Sequence, residues 1–387
     1  MRVAVVERER RFRDRVRGEA LMPWGTALAG ELGIAGALPE SGSHPLPIWQ
    51  TYVDRQPRPP YDWRPDVPTG DGLWGVCHPG LQEVLLSRAE ASGAVVLRPA
   101  KALRPRRGRP DFLIVPVASE RGVTEIRTRL LVGADGSDSG VRGWIGAKTV
   151  RDPVHHAIGG CLIEGVDLDP EAAHIAYYPG GAAFIFRQAS GRARAYLFAR
   201  PDDAAALRGP DAASGLIAAC AAALPDGALR HARAVGPAAF FPGADVFASR
   251  IRGDGIVLIG DAAGANDPTQ GQGVALVFKD VSELSRLLLA NDDWDDATGE
   301  FSRIRPRWYE PLRAYAAWMG PLVTDLGPEA DAARLLADRA RERDPWSDGY
   351  GAIHTLGPDG LPVTDAARRR VLGDAEGDEV VEGGMTH

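Results

Sequence analysis

The chain of 387 residues has few lysines, few cysteines and no long apolar run. Three of its 45 basic residues are lysines, and a net charge of −7 gives no basic surface for nucleic acid. The three cysteines form no CxxC pair and no disulfide framework. The longest apolar stretch, LIAACAAAL, is too short to span a bilayer, and the charged first residues are unlike a signal peptide. These absences predict a cytoplasmic protein with no nucleic-acid or membrane partner.

Hydrophobic patterning divides the chain into four segments. Residues 1–150 contain β-branched runs such as RVAVVE, which predicts a buried parallel strand, and amphipathic runs such as HPGLQEVLLSRAEASG, which predicts a helix. Residues 151–248 alternate apolar and polar positions between glycine-rich turns, which is typical of an antiparallel sheet. Residues 249–300 return to a buried strand followed by a helix. Residues 301–387 are predicted to be helical, with a loose acidic tail.

The stretch LLVGADGSDSGVR combines the end of a strand, a glycine turn and the start of a helix. The turn carries Asp135 and Gly136, and Arg142 falls in the first turns of the predicted helix. Backbone N–H groups at such a helix start can be aimed at a phosphate or a ribose. An ordinary turn between a strand and a helix explains this stretch alone equally well.

The stretch GIVLIGDAAGANDPTQGQGVALVFKD is more specific. A buried strand ends at Gly260, and Asp261 follows directly, where a carboxylate can accept two hydrogen bonds from ribose or ribityl hydroxyls. Pro268 precedes Gly271 and Gly273, which stand just before a helix. Glycines let a flat ligand approach the backbone closely, and a helix N-terminus stabilises negative charge on that ligand. The combination favours a ligand site over a structural turn.

Taken together, GADGSDSGVR and GDAAGANDPTQGQG resemble the DG and GD motifs of flavin-dependent aromatic hydroxylases, the single-component FAD monooxygenases related to p-hydroxybenzoate hydroxylase. The resemblance covers about residues 1–300. It implies an α/β fold: a Rossmann-like FAD-binding domain with an inserted antiparallel-sheet substrate domain and a C-terminal helical segment. Domain boundaries are expected at residues 1–150, 151–248, 249–300 and 301–387.

The resemblance also implies the chemistry. NAD(P)H would reduce FAD, O2 would form a flavin C4a-hydroperoxide, and an aromatic or related small organic substrate would be hydroxylated. The cofactor would supply this chemistry, so no nucleophilic side chain is required and no catalytic residue is assigned. Two alternatives stay open: another flavoenzyme of the same fold, such as a reductase or halogenase, or a non-catalytic relative. The tryptophan-rich WxWxIP pattern of halogenases is not found in the sequence.

Site residues in the GD and DG motifs follow from the resemblance. Asp261, after Gly260, would bind the ribityl chain of FAD. Pro268 and the backbone of Gly271–Gly273, with Gln272 between the glycines, would lie beside the isoalloxazine ring. Asp135, Gly136 and Arg142 would shape the region around the pyrophosphate and NAD(P)H.

Four further residues are assigned in the same way. Glu7 would accept hydrogen bonds from the adenosine ribose, and Arg17 in RVRGE would contact the FAD phosphates. His78 stands where the family usually has arginine or glutamine at the start of a helix. Gln82, one turn later, could take over that contact.

The family pattern also includes a strand, a GxGxxG turn and a helix, about thirty residues in all, before the strand that ends at Glu7. The sequence begins too close to Glu7 to contain them. We expect either a unit encoded upstream of a mis-assigned Met1, or a truncated relative that binds FAD poorly. The intact remaining motifs favour the upstream unit.

Two other groups of residues complete the predictions. His155 and His156 lie together without a metal-ligand partner at suitable spacing, which predicts a solvated or sheet-edge pair and no metal site. Tyr177, Tyr178 and the aromatic segment 49–63 are expected in the wall of the substrate pocket. The oligomeric state does not follow from the sequence.

Overall fold

A computed structural model of the chain describes residues 2–67, 70–108, 112–343 and 350–372. The predicted acidic tail lies outside the described residues. The strands are β1 (Ala4–Val6), β2 (Ala20–Leu21), β3 (His44–Leu46), β4 (Ile48–Val53), β5 (Gln56–Pro57), β6 (Tyr61–Asp62), β7 (Leu73–Gly75), β8 (Val95–Leu97), β9 (Ala100–Ala102), β10 (Arg106–Arg107), β11 (Leu113–Ser119), β12 (Gly122–Thr128), β13 (Leu131–Gly133), β14 (Thr149–Arg151), β15 (His156–Glu164), β16 (Ala172–Tyr178), β17 (Gly181–Arg187), β18 (Arg192–Ala199), β19 (Arg233–Gly243), β20 (Val246–Ala248), β21 (Arg252–Gly253) and β22 (Ile256–Leu258).

The helices alternate with the short strands in the first half of the chain and dominate the last hundred residues. They are α1 (Pro23–Glu31), α2 (Ala37–Glu40), α3 (His78–Ala91), α4 (Gly140–Trp144), α5 (Pro201–Ala206), α6 (Ala212–Ala223), α7 (Asp261–Gly264), α8 (Gly273–Ala290), α9 (Trp294–Ile304), α10 (Pro306–Thr324), α11 (Pro328–Arg343), α12 (Tyr350–Thr355) and α13 (Asp365–Val371). Among the described residues, no helix is both long enough and apolar enough to cross a membrane.

Two parallel strand pairs carry the sequence motifs. β1 pairs with β8, and β13 pairs with β22, with Leu131 opposite Ile256. β13 and β22 run in the same direction, so the DG and GD motifs leave the same edge of one sheet. The predicted strand in RVAVVE is parallel, but it is not buried: Val3 is 47% exposed. The reason is that β8 is its one partner strand among the described residues.

The largest sheet has eight strands in the order β19-β15-β18-β17-β16-β4-β5, with β6 also pairing with β4. Its strands between residues 156 and 243 pair antiparallel, as the alternating pattern predicted. The sheet also recruits β4–β6 from the first predicted segment, and β4 pairs with β16 in parallel.

Alternation along these strands gives the large sheet two different apolar faces. Ile185, Ala195 and Leu197 pack against Leu216 and Cys220 of α6 on one side. Full burial of a side chain of the size of Ile185 or Leu197 stabilises the fold by about 1.5–3 kcal/mol. The opposite face carries Phe184, Phe186, Tyr196 and Phe198, which belong to the main core and line a cavity.

Helices near the C-terminus close this cavity. α10 is held by buried aromatic residues, among them Trp308, Tyr309 and Tyr315. Trp308 donates from Nε1 to Oδ1 of Asp280 on α8 at 2.8 Å. One face of α10 brings Met319 and Val323 to the cavity wall, and α12 contributes His354.

Candidate functional site

A cavity of about 650 Å³ lies between the motif-bearing strands and the aromatic face of the large sheet. Nine of the thirteen predicted site residues line it: Arg17, His78, Gln82, Gly136, Gly260, Asp261, Pro268, Gly271 and Gly273. The other four, Glu7, Asp135, Arg142 and Gln272, are not in its lining. The fold thus brings segments of the first hundred residues together with the distant DG and GD motifs.

The DG motif forms a tight loop at the end of β13. The Asp135 carboxylate accepts hydrogen bonds from Ser139 Oγ at 2.5 Å and from the backbone N–H groups of Gly140 at 2.8 Å and Val141 at 3.2 Å. This side chain therefore orders the loop and the start of α4. Gly136 has a φ of +83°, and a Cβ there would meet no atom within 4 Å. The backbone of the loop, rather than the Asp135 carboxylate, is presented to the cavity.

Arg142 is buried and joins the two motifs. Its Nε donates to the carbonyl of Ala262 at 3.1 Å, and its Nη2 donates to the carbonyl of Asp261 at 3.0 Å. Its Nη1 donates to the carbonyl of Ser137 and to Oγ1 of Thr149, both at 3.1 Å. Burial lowers the pKa of this guanidinium, and nearby carboxylates oppose that shift. Arg142 thus positions the strand ends from behind the cavity.

The turn after β22 depends on Gly260 and Asp280. Gly260 has a φ of +55°, and its N–H donates to Oδ2 of the fully buried Asp280 at 2.8 Å. Arg305 Nε also donates to Asp280, at 3.0 and 3.1 Å. A buried carboxylate with three donors fixes the turn from which Asp261 projects.

Asp261 is the one GD-motif side chain whose carboxylate receives no hydrogen bond from the described residues. Burial raises its pKa above the ordinary range, while Arg17, Arg305 and Arg142 lower it. A desolvated carboxylate of this kind is suited to hydroxyl donors supplied by a ligand.

The loop before α8 is held by its own side chains. Asp267 accepts from the N–H of Thr269 at 3.0 Å and from its Oγ1 at 2.7 Å. Gly271 has a φ of +66°, and a Cβ there would lie 2.6 Å from Cε of Met22. By contrast, a Cβ on Gly273, the first residue of α8, would meet no atom within 4 Å and would project into open space. The helix start is therefore accessible from the cavity.

Gln272, between these two glycines, has a structural contact. Its side chain is buried, and Oε1 accepts a hydrogen bond from Trp24 Nε1 at 2.8 Å. Its Nε2 is buried without a partner among the described residues. The expected contribution of this position to a flavin site therefore concerns its backbone.

Arg17, His78 and Gln82 also line the cavity, from the first hundred residues of the chain. Arg17 Nη1 donates to Ser137 Oγ in the DG loop at 3.1 Å, and its guanidinium lies 5.1 Å from the centre of the Phe241 ring. Gly18 has a φ of +71° and approaches His78 so closely that a Cβ would lie 3.1 Å from Nδ1. Burial lowers the pKa of His78, so the neutral imidazole is favoured at neutral pH.

Glu7 follows β1, where its carboxylate accepts a hydrogen bond from the N–H of Glu9 at 2.6 Å. Its backbone continues the pairing with the β8 region: the Glu7 N–H donates to the carbonyl of Leu97 at 3.0 Å. A ribose contact by Glu7 remains a prediction.

The expected pocket-wall residues divide between the two faces of the large sheet. Tyr177 and Trp49 line the cavity, whereas Tyr178 packs against the core beneath α6. The interpretation of the histidine pair is wrong for His156. This residue starts an interior strand, is buried, and lies 2.9 Å from Asp267 through Nε2. His155 is partly exposed and pairs with Asp325 at 3.0 Å.

Several cavity residues were not predicted from the sequence. Glu19 and Tyr196 line the cavity and hydrogen-bond to each other across 177 positions. Met319, Val323 and His354 come from the C-terminal helices. Glu19 could have been selected from the sequence because it lies in RVRGE, two residues after the predicted site residue Arg17. The alternating pattern of β18 gave no reason to select Tyr196.

The residues present fit FAD. The cavity contains an arginine at Arg17 and, at Asp261, a carboxylate to which none of the described residues donates. It also contains two exposed backbone surfaces, at Gly136 and Gly273, where a side chain would occupy ligand space. Hydroxyls, phosphates and a planar ring system are the groups that such surfaces can bind.

Comparison with known proteins defines the class. Residues 1–293 match the family described as FAD binding domain, and the chain belongs to that family. The expected α/β fold, the FAD cofactor and the flavoprotein family are confirmed. The chain is therefore an FAD-binding flavoprotein. The proteins that it resembles in sequence or in fold include FAD-dependent monooxygenases, halogenases and reductases.

Individual relatives and structures differ in their chemistry. Digeranylgeranylglycerophospholipid reductase 1 from Methanopyrus kandleri is 29% identical over 242 residues, which cover 59% of this chain and 61% of that protein. The chain therefore spans less than two thirds of this relative.

Solved proteins that share the fold include PnpA and PqsL. The p-nitrophenol 4-monooxygenase PnpA from Pseudomonas putida DLL-E4 has a TM-score of 0.74 and 18% identity, covering 97% of this chain and 91% of that chain. PqsL from P. aeruginosa, in complex with 2-aminobenzoylacetate, has a TM-score of 0.67 and 20% identity, covering 84% and 90%.

Proposed function

We propose that this chain is an FAD-dependent monooxygenase that uses NAD(P)H and O2 to hydroxylate an aromatic or related small organic substrate. The observation that carries this proposal is the composition of one continuous cavity. One end carries the carboxylate of Asp261, which has no hydrogen-bond donor in the described part of the chain, and the open helix start at Gly273. The other end has a wall of aromatic side chains, including Phe184 and Phe198.

The polar end would hold FAD. Asp261 would accept hydrogen bonds from ribityl hydroxyls, and Arg17 with the DG-loop backbone would bind phosphate. Pro268 and the glycine-rich start of α8 would lie along the ring, where the helix N-terminus stabilises negative charge on the ring edge. His78 and Gln82 are in place for further polar contacts. Asp135, Arg142 and Gln272 would position the backbone around the cofactor instead of touching it with their side chains.

The aromatic end would hold the substrate. Bound FAD supplies the activation of O2 by electrons taken from NAD(P)H. The side chains of Phe184, Phe186 and Phe198 exclude water from the reaction space and offer flat apolar surfaces to a ring. Met319 and Val323 of α10 close the same space from the other side. The protein's contribution is therefore binding, orientation and exclusion of water.

Purified protein loaded with FAD tests the proposal. We expect an aromatic substrate to stimulate NAD(P)H oxidation and O2 consumption, with a hydroxylated product identified by mass spectrometry. NAD(P)H oxidation that yields only hydrogen peroxide with every aromatic compound in a broad panel would contradict it. A chain that does not retain FAD would instead support the non-catalytic alternative.

A second candidate is a reductase, favoured by the sequence identity to the Methanopyrus kandleri reductase. The two candidates differ in their requirement for oxygen. A reductase adds two hydrogens to its substrate under anaerobic conditions, whereas a monooxygenase gives no product without O2. Product analysis with and without O2 distinguishes them.

A further inference from the structure

A second cavity, of about 430 Å³, lies behind the part of the GD motif that precedes α8. Its walls come from the loop before β15, the end of β19 and one face of α10. Asn266 and Pro268 line the main cavity, whereas Asp267 between them lines the second one. Ala244 lines both. The two cavities therefore lie back to back, with a thin wall of chain between them.

The wall of the second cavity contains a buried histidine nitrogen that no described residue satisfies. His156 is 2% exposed, and its Nε2 lies 2.9 Å from Oδ2 of Asp267. In the neutral imidazole, Nε2 therefore carries the hydrogen and Nδ1 is an acceptor. Nδ1 is buried and has no hydrogen-bond partner among the described residues. A buried acceptor without a donor is costly, so this atom favours a ligand that donates a hydrogen bond.

The space beside this nitrogen depends on a glycine of α10. Gly320 also lines the second cavity, and a Cβ there would come within 3.0 Å of Nδ1 of His156. A larger residue on this turn of the helix would close the approach to the imidazole. The glycine leaves room on the side of the ring that faces away from Asp267.

Carboxylates outnumber cationic side chains in the lining of this cavity. Its described lining includes one guanidinium, that of Arg313, and the four carboxylates of Asp152, Asp245, Asp267 and Glu310. Arg313 donates to both oxygens of Asp152, at 2.6 and 2.7 Å, so these two charges compensate each other. Three carboxylates remain in excess. Such a surplus attracts a cation, and most strongly where the walls exclude water.

The excess carboxylates extend from the rim of the cavity to its interior. The Glu310 side chain is 54% exposed, and its Oε2 lies 3.7 Å from Nη1 of Arg313. Asp245 is 3% exposed and accepts only from neutral groups among the described residues: the amide of Asn266, the hydroxyl of Tyr309 and a backbone N–H. Burial raises the pKa of Asp245 to about 6, which agrees with a charge that lacks a cationic partner.

Small apolar side chains complete the lining. They include Pro153, Ala314, Ala317 and Pro321. These side chains leave space for a short alkyl group beside the polar interior. A primary alkylammonium ion combines such a group with a positive charge and three N–H donors.

We propose that the second cavity is a binding site for a small primary alkylammonium ion. One N–H of the ligand would donate to Nδ1 of His156. The surrounding carboxylates, including Asp245 and Glu310, would stabilise its charge, and its alkyl group would lie along the alanines of α10. The site is separate from the main cavity, so this inference does not depend on the proposed monooxygenase activity.

Isothermal titration calorimetry with ethylammonium chloride tests the proposal on the protein in the presence of saturating FAD. Two matched ligands are titrated at the same ionic strength. Ethanol has a hydrogen-bond donor but no charge, whereas tetramethylammonium has the charge but no N–H donor. We expect saturable binding of ethylammonium, and binding at least about tenfold weaker for each of the other two ligands.

Two variants locate the site. Glu310→Gln removes one charge at the exposed rim and should weaken ethylammonium binding about two- to fivefold. Glu300→Gln is the matched control, because Glu300 forms the same i,i+3 pair with an arginine on α9, and it should leave the affinity unchanged. His156→Phe keeps a ring but removes the acceptor, so it should weaken binding about tenfold or more.

Three outcomes would overturn the proposal: no saturable binding of ethylammonium, equal binding of ethanol or tetramethylammonium, or an affinity that is the same in Glu310→Gln and Glu300→Gln. The comparison of ligands needs no variant, and Glu310 is exposed. The test therefore holds even if His156→Phe does not fold. No turnover is measured, so a failure of the hydroxylation assay would leave this result unaffected.

Discussion

Arg142 donates from Nη2 to the backbone carbonyl of Asp261 at 3.0 Å, and this bond joins the DG motif to the GD motif. The same guanidinium reaches the carbonyl of Ser137 in the DG loop at 3.1 Å. The arginine thus acts on the cofactor site through the backbone. Asp261, in contrast, directs its carboxylate into the cavity, where no described residue donates to it. Arg142 and Asp261 are therefore in contact but have different roles: Arg142 holds the backbone, and Asp261 offers its carboxylate to the cavity.

Asp261→Ala should weaken FAD binding without destabilising the protein in the absence of FAD. The carboxylate receives no hydrogen bond from the described residues, so its removal costs the unliganded fold little. Loss of hydrogen bonds to ribityl hydroxyls should raise the Kd for FAD by about ten- to a hundredfold. Fluorescence titration with FAD and urea unfolding of the unliganded protein measure the two effects. A large loss of unliganded stability would contradict this role.

Arg142→Lys, unlike Asp261→Ala, should destabilise the protein in the absence of FAD. The lysine cannot reproduce four hydrogen bonds from a planar guanidinium, and it leaves buried carbonyls unpaired. We expect the unliganded protein to lose about 2–4 kcal/mol of unfolding free energy. Urea unfolding without FAD checks this, with the exposed Arg303→Lys as a control at a surface pair. Unchanged unliganded stability would mean that the side chain serves FAD directly.

The two glycines beside Gln272 should respond differently to alanine. Gly271→Ala places a methyl group 2.6 Å from Met22 Cε in a backbone with φ of +66°, so it should destabilise the unliganded protein by about 1–2 kcal/mol. Gly273→Ala meets no protein atom within 4 Å and should leave that stability unchanged. Its methyl group projects into ligand space, so FAD affinity should fall. Thermal melts with and without FAD separate the two variants.

Asp245 should make stability fall as the pH rises through the mildly acidic range. Burial raises its pKa from 3.8 to about 6 in the folded protein, although Asn266 and Tyr309 donate to it and lower the pKa. The folded state therefore binds this proton more tightly than the unfolded state. Protonated Asp245 therefore contributes about 3 kcal/mol to the free energy of unfolding below about pH 4. This contribution is lost as the pH rises from about 4 to 6.

Asp245→Asn removes this titration. Unfolding free energies of the variant and the unmodified protein, measured at intervals from pH 4 to 7, give the difference directly. The gap between them should change steadily across that range in favour of the asparagine variant. A constant gap would show that Asp245 has an ordinary pKa.

The sequence predicted those parts of the site that depend on the succession of residues within a short motif. A strand followed by glycine and aspartate is sufficient to place Asp261 at a strand end, and the parallel pairing of β13 and β22 then brings the DG loop beside it. Side-chain direction was not predictable in this way. Asp135 hydrogen-bonds to N–H groups of its own loop, and Arg142 hydrogen-bonds to carbonyl groups of the GD motif, because these backbone groups need partners once they are buried.

The sequence also did not predict contacts between residues that lie far apart along the chain. Glu19 and Tyr196 meet because Gly160 leaves room between a loop and a sheet, and none of these positions predicts the others. His156 was expected in solvent or at a sheet edge. It is buried because β19 covers one side of its strand and Asp267 supplies a polar partner.

The most direct test of the central claim is a reaction of the FAD-loaded protein with NAD(P)H, an aromatic substrate and isotopically labelled O2. Monooxygenation predicts that one labelled oxygen atom appears in the product and the other in water. A product that forms without label, or that forms equally well in the absence of O2, would contradict the monooxygenase assignment.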